Sequence, residues 1–328
     1  MQASYIQLLK LKELESRVQI AYDVLKDCTL CPRNCRVNRV GGELGFCKSG
    51  NKVFISDAIP HFGEEPFISG KNGSGTIFFS NCNLRCKFCQ NYQISHEGLG
   101  KYISEEELAK LMISLQKKGC HNINLVSPTH YVPQILKSLL LAANEGLNIP
   151  IVYNTNAYDS VEVLKILNGI VDIYMPDIKY SNDETGFFLS NVQDYLEHNR
   201  NAILEMYRQV GNLKVNKQGI AERGILIRHL VLPNKLAGSI DALRFLKKNL
   251  GKEVYISLMA QYHPCYKAKS DARINRCITN EEYQEILDIA SELDLENVLI
   301  QELTSHNVFL PDFTDKKPFK QNPSAHSI

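Results

Sequence analysis

From Thr76 onward the 328-residue chain alternates short β-rich runs with helical segments, and this rhythm constrains the fold more than any other feature. The runs cover 76–80, 122–127, 150–155, 172–180, 224–232 and 254–262, with 297–302 as a final strand or an edge. Helices are predicted over 104–118, from Val132 to Gly146, and over 160–169, 183–209, 239–249 and 280–294. Ser104 with Glu107, and Thr279 with Glu282, have the spacing of a capping box. Six or seven β-then-α units argue for a parallel sheet. Right-handed crossovers then give a doubly wound sheet or a full or partial barrel. Upstream, Leu11, Leu14, Val18, Ala21 and Leu25 mark one amphipathic helix over 5–26. The stretch before Gly75 reads as hairpins or irregular structure. No internal repeat is visible.

Cysteine is the second constraint. Seven of the ten cysteines fall between Cys28 and Cys89. Lys10, Lys12, Glu13 and Glu15 interrupt any apolar leader, and no run approaches a membrane span. The expected setting is the cytoplasm, where thiols stay reduced and clustered cysteines signal metal. Cys82, Cys86 and Cys89 are spaced C-x3-C-x2-C directly after the run 76–80, on a loop at a strand's C-terminal end. Barrel folds place their chemistry there. Three thiolates hold three irons of a [4Fe–4S] cubane and leave the fourth open. Zinc would want a fourth ligand, for which His96 is the nearest candidate. Cys28, Cys31, Cys35 and Cys47 form a second group, C-x2-C-x3-C-x11-C. It suits either a closed zinc site or a fully ligated iron–sulfur cluster.

The loop NCNLRCKFCQN resembles the cluster loop of the radical S-adenosylmethionine (SAM) superfamily, including Phe88 before the third cysteine. Within it, CTLCPRNC, HFGEEPFISG, NINLVSPTHY, YMPDIKY, IRHLVLP and LMAQYHP are most similar to the subgroup of pyruvate formate-lyase activating enzyme-like proteins. The resemblance spans about Cys28 to Leu303. It implies a partial (β/α)6 TIM-type barrel over 71–304. A metal-binding extension over 1–70 would precede it, and a loose tail over 305–328 would follow. The implied cofactors are a [4Fe–4S] cluster and SAM, with zinc or a second iron–sulfur cluster at the four-cysteine site. The implied chemistry is reductive cleavage of SAM to a 5′-deoxyadenosyl radical, which abstracts a hydrogen atom.

The other strand ends supply candidate cofactor contacts. Phe88 either packs on the adenine or fills the barrel mouth. Ser127 and Thr129 stand where the superfamily has a Gly-Gly-Glu-Pro-like stretch, and their hydroxyls would replace the missing carboxylate. Asn154 and Asn156 flank a Thr where relatives carry Asp-Thr; Asn at 154 removes a charge. By resemblance Lys179 contacts SAM, Asp177 a cation or peptide, and Arg228 the SAM carboxylate side. The bland alternative for Asp177 and Lys179 is a rim ion pair. His229 is expected as a satisfied core histidine. Gln261, Tyr262 and His263 end the sixth strand, where they face substrate or simply pack. Gly73 and Gly75 either let backbone approach a ligand or form a turn. Glu64 and Glu65 either line the entrance or form a solvated acidic turn, the default for such pairs.

Lys+Arg of 37 against Asp+Glu of 36 argues against nucleic acid or a membrane surface as a partner. The expected partners are a low-potential electron donor and a glycyl radical enzyme or other protein substrate. The rival readings are radical modification of another protein or a small molecule, and a non-enzymatic iron–sulfur or zinc scaffold.

Overall fold

The computed structural model describes residues 2–307, 310–315 and 317–319. The remainder of the expected tail 305–328 lies outside the described residues. Strands β1 (Val53–His61), β2 (Ser74–Phe79), β3 (Lys101–Ile103), β4 (Ile123–Val126), β5 (Ile151–Thr155), β6 (Ile173–Pro176), β7 (Lys214–Val215), β8 (Ala221–Leu230), β9 (Tyr255–Met259) and β10 (Asn297–Ile300) form one sheet. Its order is β10-β9-β8-β6-β5-β4-β2-β1-β3, with β7 hung on β8. The run from β2 to β10 is parallel throughout. The end strands β10 and β3 do not pair with each other, so the barrel is open.

Helices α1 (Tyr5–Lys10), α2 (Glu13–Val24), α3 (Pro66–Ser69), α4 (Tyr92–Ser95), α5 (Glu105–Lys117), α6 (Val132–Asn144), α7 (Val161–Ile166), α8 (Asp183–Ser190), α9 (Tyr195–Val210), α10 (Ser239–Leu250) and α11 (Asn280–Glu292) complete the elements used below. Both expected capping boxes form, at Ser104 and Thr279. Each satisfies two backbone N–H groups that would otherwise be orphaned.

Three expectations change. The single helix over 5–26 is split, because Lys12 takes a left-handed conformation with φ of 60°. The segment 183–209 is split at Asn191 and Asp194, both with φ of 49°. Asn and Asp tolerate that region, which stops a helix. The segment before Gly75 is not merely hairpins or irregular. It contains β1, which pairs antiparallel with β2 and β3 and extends the sheet. A bulge between Ile55 and Asp57 breaks the alternation that would have revealed it.

Side-chain alternation sets the two faces. Ile225, Ile227 and His229 of β8 turn outward to the helical layer, while Leu226 joins Val152, Ile173 and Met175 in an apolar plug inside the barrel. Ile68, Leu213 and Ala221 close that plug from below. At the N-terminal strand ends the plug is bordered by a buried polar pair, where Ser74 Oγ donates to Asn122 Oδ1 at 2.7 Å and Asn122 Nδ2 to Ile68 O at 2.9 Å.

Candidate functional site

The loop after β2 is pinned before it carries chemistry. Arg85 N–H donates to Ser190 O at 3.0 Å, Lys87 N–H to Leu189 O at 2.8 Å, and Asn81 N–H to Ile94 O at 2.8 Å. Each cysteine sulfur has a polar neighbour. Cys82 Sγ accepts from Leu84 N–H at 3.4 Å and Asn156 Nδ2 at 3.5 Å. Cys86 Sγ accepts from Ser190 Oγ at 2.9 Å, and Cys89 Sγ lies 3.2 Å from Ser95 Oγ. Burial pushes the Cys82 thiol up to about 11 and Cys89 to about 12, and raises Cys86 as well. Such thiols ionise only when a cation repays the desolvation, which is the condition for metal ligation. His96 does not line the cavity that the three cysteines share, and its Nδ1 lies 2.7 Å from Ser95 Oγ.

The three cysteines line a cavity of about 220 Å³ at the C-terminal strand ends, as do Phe88, Ser127, Asn154, Asn156, Asp177, Lys179 and Arg228. Thr129 is not brought to this cavity. It is buried, with its hydroxyl 3.3 Å from that of Thr155, which does line the cavity. Asn156 is committed to the loop: its Nδ2 donates to Asn83 Oδ1 at 2.8 Å, and its Oδ1 accepts from Tyr158 N–H at 2.9 Å. Phe88 packs edge-on against Tyr180 and Tyr262, with centroids 6.5 and 5.7 Å away. Lys179 Nζ donates to Asp177 Oδ2 at 2.6 Å, and both side chains are largely buried. Burial works against the Lys179 charge, but Asp177 and then Cys86 outweigh it, and its pKa is raised.

Glu64 and Glu65 are not a solvated turn. Each side chain is 7% exposed, and both face Arg228, at 3.4 and 3.1 Å. Arg228 Nε stands 3.1 Å from Glu65 Oε1 without forming an aligned hydrogen bond, and the other oxygen of that carboxylate, Oε2, is buried without a hydrogen-bonding partner. Glu64 Oε1 also accepts from Asn124 Nδ2 at 2.9 Å. Burial opposes the guanidinium charge of Arg228, but Glu65 and Glu64 outweigh it and hold the group cationic. Arg228 thus belongs to a buried charge cluster at the cavity floor. His229, facing outward, is satisfied by Ile178 O at 2.6 Å and Ser239 Oγ at 2.8 Å, as expected.

Gln261, Tyr262 and His263 line the cavity, but the Tyr262 hydroxyl is spent on Ile274 O at 2.6 Å. His61, Phe78, Gln90, Met259 and Phe319 line it too, without having been anticipated. Burial, then the charge of Arg228, lowers the His61 pKa to about 4. The period-two pattern of 254–262 pointed to Met259; His61 sits on the strand that sequence patterning missed. Gly75 approaches protein rather than ligand. A Cβ there would stand 2.6 Å from Asn122 O, at the end of β2 remote from the cluster loop.

The model of the radical SAM superfamily matches residues 76–246, about half of the chain. The chain belongs to the radical SAM superfamily. An uncharacterized protein of Methanocaldococcus jannaschii is 35% identical over 89% of this chain and 82% of its own length. A second uncharacterized protein of that organism is 26% identical over 76% of each chain. Among solved structures, a radical SAM methyltransferase from Sphaerobacter thermophilus is 17% identical, covers 69% of this chain and has a TM-score of 0.47. This chain spans 65% of that structure's length.

Radical SAM enzymes use a [4Fe–4S] cluster and SAM. The residues present fit the cluster: three thiols on one pinned loop face a cavity, and each sulfur has a polar neighbour. Hydrogen bonds to the sulfurs and burial set the potential of such a centre.

The four upstream cysteines also meet. Cys28, Cys31, Cys35 and Cys47 line one small cavity with Arg39, Gly45 and His130. Their segment packs on the cluster loop, where Arg85 Nη1 donates to Cys82 O at 2.6 Å and its Nη2 to Phe46 O at 2.8 Å. All ten cysteines are free thiols. Among the described residues no helix is long and apolar enough to cross a membrane.

Proposed function

We propose that this radical SAM enzyme abstracts a hydrogen atom from a peptide segment of another protein, a glycine Cα–H being the target that its motifs best match. The observation carrying this reading is a length of the chain's own backbone laid across the cavity mouth. Gln93 Nε2 donates to Asp312 Oδ1 at 2.9 Å, while Gln93 Oε1 accepts from Phe313 N–H at 2.8 Å. Phe313 is buried against Phe78, and Pro311 and Phe319 line the cavity. A mouth that bonds backbone and seats aromatic side chains is suited to a peptide.

When bound, the cluster and SAM supply one-electron cleavage of a C–S bond, giving methionine and a 5′-deoxyadenosyl radical that takes the hydrogen atom. The electron comes from a low-potential electron donor. Cys82, Cys86 and Cys89 hold the cluster. Phe88, Ser127, Asn154, Asp177 and Lys179 line the SAM compartment, where Lys179 offers a donor to a carboxylate or ribose oxygen. Asn156 positions Cys82 through Asn83, and Thr129 braces Thr155. Arg228 holds the polar floor against Glu64 and Glu65. Phe78, Met259 and Leu230 keep water from the reacting carbon.

The test is anaerobic reconstitution and reduction of the full chain. Turnover of SAM to 5′-deoxyadenosine, lost in Cys86→Ala, is expected. Electron paramagnetic resonance should then detect a glycyl radical on a glycine-containing partner or peptide. SAM cleavage without any protein-borne radical, whatever peptide is offered, would favour a small-molecule substrate instead.

A further inference from the structure

We infer that the cavity mouth holds a subsite for an aromatic side chain of the substrate peptide, and that the chain's own Phe313 occupies it as a self-ligand. The inference rests on the peptide reading proposed above and names what that peptide must carry. Phe78 on β2 and Val126 on β4 stand out of step with Ile77, Phe79 and Leu125, which join the core under the helices. They therefore point into the barrel at its C-terminal strand ends, where Ile94 of α4 meets them. All three line the cavity shared by Cys82, Cys86 and Cys89. Phe313 covers them and is itself buried, with its ring centroid 5.4 Å from that of Phe78. Phe319 closes the other side, 5.2 Å from Phe78 and 4.2 Å from His61.

The same place recognises backbone. Gln93 follows the cluster loop, and its Oε1 accepts from Phe313 N–H at 2.8 Å while its Nε2 donates to Asp312 Oδ1 at 2.9 Å. A side-chain amide that accepts from a backbone N–H is indifferent to the residue that carries it, so Gln93 fixes the register while the apolar pocket reads the ring. The occupant also bonds itself. Asp312 N–H donates to Pro318 O at 2.9 Å and Asp315 N–H to Asp312 O at 3.1 Å. Thr314 N–H and Oγ1 donate to Asp312 Oδ1 at 3.0 and 2.7 Å. A turn that carries its own hydrogen bonds can lift away with them intact, which a strand inside the sheet cannot. The stretch 311–319 contains no glycine, so it fills the subsite without offering the Cα–H that the proposed reaction takes. A substrate peptide must bring an aromatic residue close to its target glycine and displace Phe313.

The chain has no tryptophan, so full-length Phe313→Trp carries a single reporter at the subsite. In the reconstituted protein its emission should start blue-shifted and move to the red as the synthetic peptide PDFTDKKPF, residues 311–319, is added. A tethered segment competes at an effective concentration on the order of millimolar, so half-displacement is expected at about 1 mM peptide. Emission that stays put up to about 10 mM overturns the inference, as does an equal shift with the peptide carrying alanine in place of both phenylalanines. Should the tryptophan emit to the red from the start, fluorescein-labelled peptide decides. It must then bind full-length Phe313→Ala at least about tenfold more tightly than the unaltered chain, and equal binding refutes the subsite. Radical formation separates this inference from the proposed function. Equal reaction of glycine peptides with and without a neighbouring phenylalanine refutes the aromatic subsite and leaves the function standing. Displacement by PDFTDKKPF with no radical on any peptide refutes the function and leaves the subsite standing as a peptide site.

Discussion

Arg228→Met removes the cation facing Glu64 and Glu65 while roughly keeping side-chain volume. The three side chains are 15%, 7% and 7% exposed, and their contacts are 3.4 and 3.1 Å. At an effective dielectric near 20, each contact is worth about 5 kcal/mol of Coulomb attraction, most of it offset by desolvating the charges. Breaking such a buried set from one side leaves uncompensated carboxylates and costs about 3–5 kcal/mol. Urea unfolding of the metal-free chain at neutral pH, followed by far-ultraviolet circular dichroism, should show the midpoint falling with an unchanged slope. The triple variant Glu64→Gln, Glu65→Gln, Arg228→Met removes every charge of the cluster and should recover most of the loss. The double glutamine variant alone should not, because it strands Arg228. If Arg228→Met stays within about 0.5 kcal/mol of the native chain, or the triple variant is no better than the single, the floor is not an ion cluster.

Ser190→Ala deletes a hydrogen bond to Cys86 Sγ, which stabilises the more negative, reduced cluster. The midpoint of the open cluster should fall by roughly 40 mV in a redox titration followed by electron paramagnetic resonance, the equivalent of about 1 kcal/mol. Burial lowers the His229 pKa from 6.5 to about 4. A base whose folded pKa lies below its unfolded one stabilises above the unfolded value, and loses that stability as pH falls toward the folded value. Between about pH 7 and pH 5 His229 should cost roughly 2 kcal/mol of stability, and His229→Gln should flatten that part of the pH–stability curve. Gly75→Ala puts a methyl group 2.6 Å from Asn122 O and 3.1 Å from Leu115 Cβ. Thermal melts should show a loss of about 1–3 kcal/mol, with SAM affinity unchanged in the folded fraction.

The parallel strands and the cluster loop were legible because each rests on local signals. Hydrophobic runs of strand length, capping residues at Ser104 and Thr279, and three cysteines within eight residues need no knowledge of distant contacts. The helix breaks at Lys12 and Asn191 were not legible, since left-handed residues interrupt an apolar pattern without altering it. Strand β1 was hidden by its bulge and by Pro60. With it went His61 and the burial of Glu64 and Glu65, whose acidic pair reads as solvated until Arg228 is set opposite. Thr129 and Asn156 show the converse limit. Their placement at strand ends was legible, but the hydroxyl of Thr155 and the amide of Asn83, which occupy them, arrive from other turns of the chain.

The same distinction explains why the two cysteine groups differ in what they disclose. Spacing alone names a group of ligands, yet the nuclearity of a metal site is a property of the distance across it. For the triad, a missing fourth cysteine already implies an open iron. For the quartet, ligand number fits one zinc and several irons equally well, and metal content separates them. Arg39, Gly45 and the backbone of Phe46, none of which is a ligand, stand against the sulfurs of Cys28 and Cys35. Substituting Gly45 therefore reaches the second site without touching a cysteine, and its effect on metal content should follow Cys35, the sulfur it lies against.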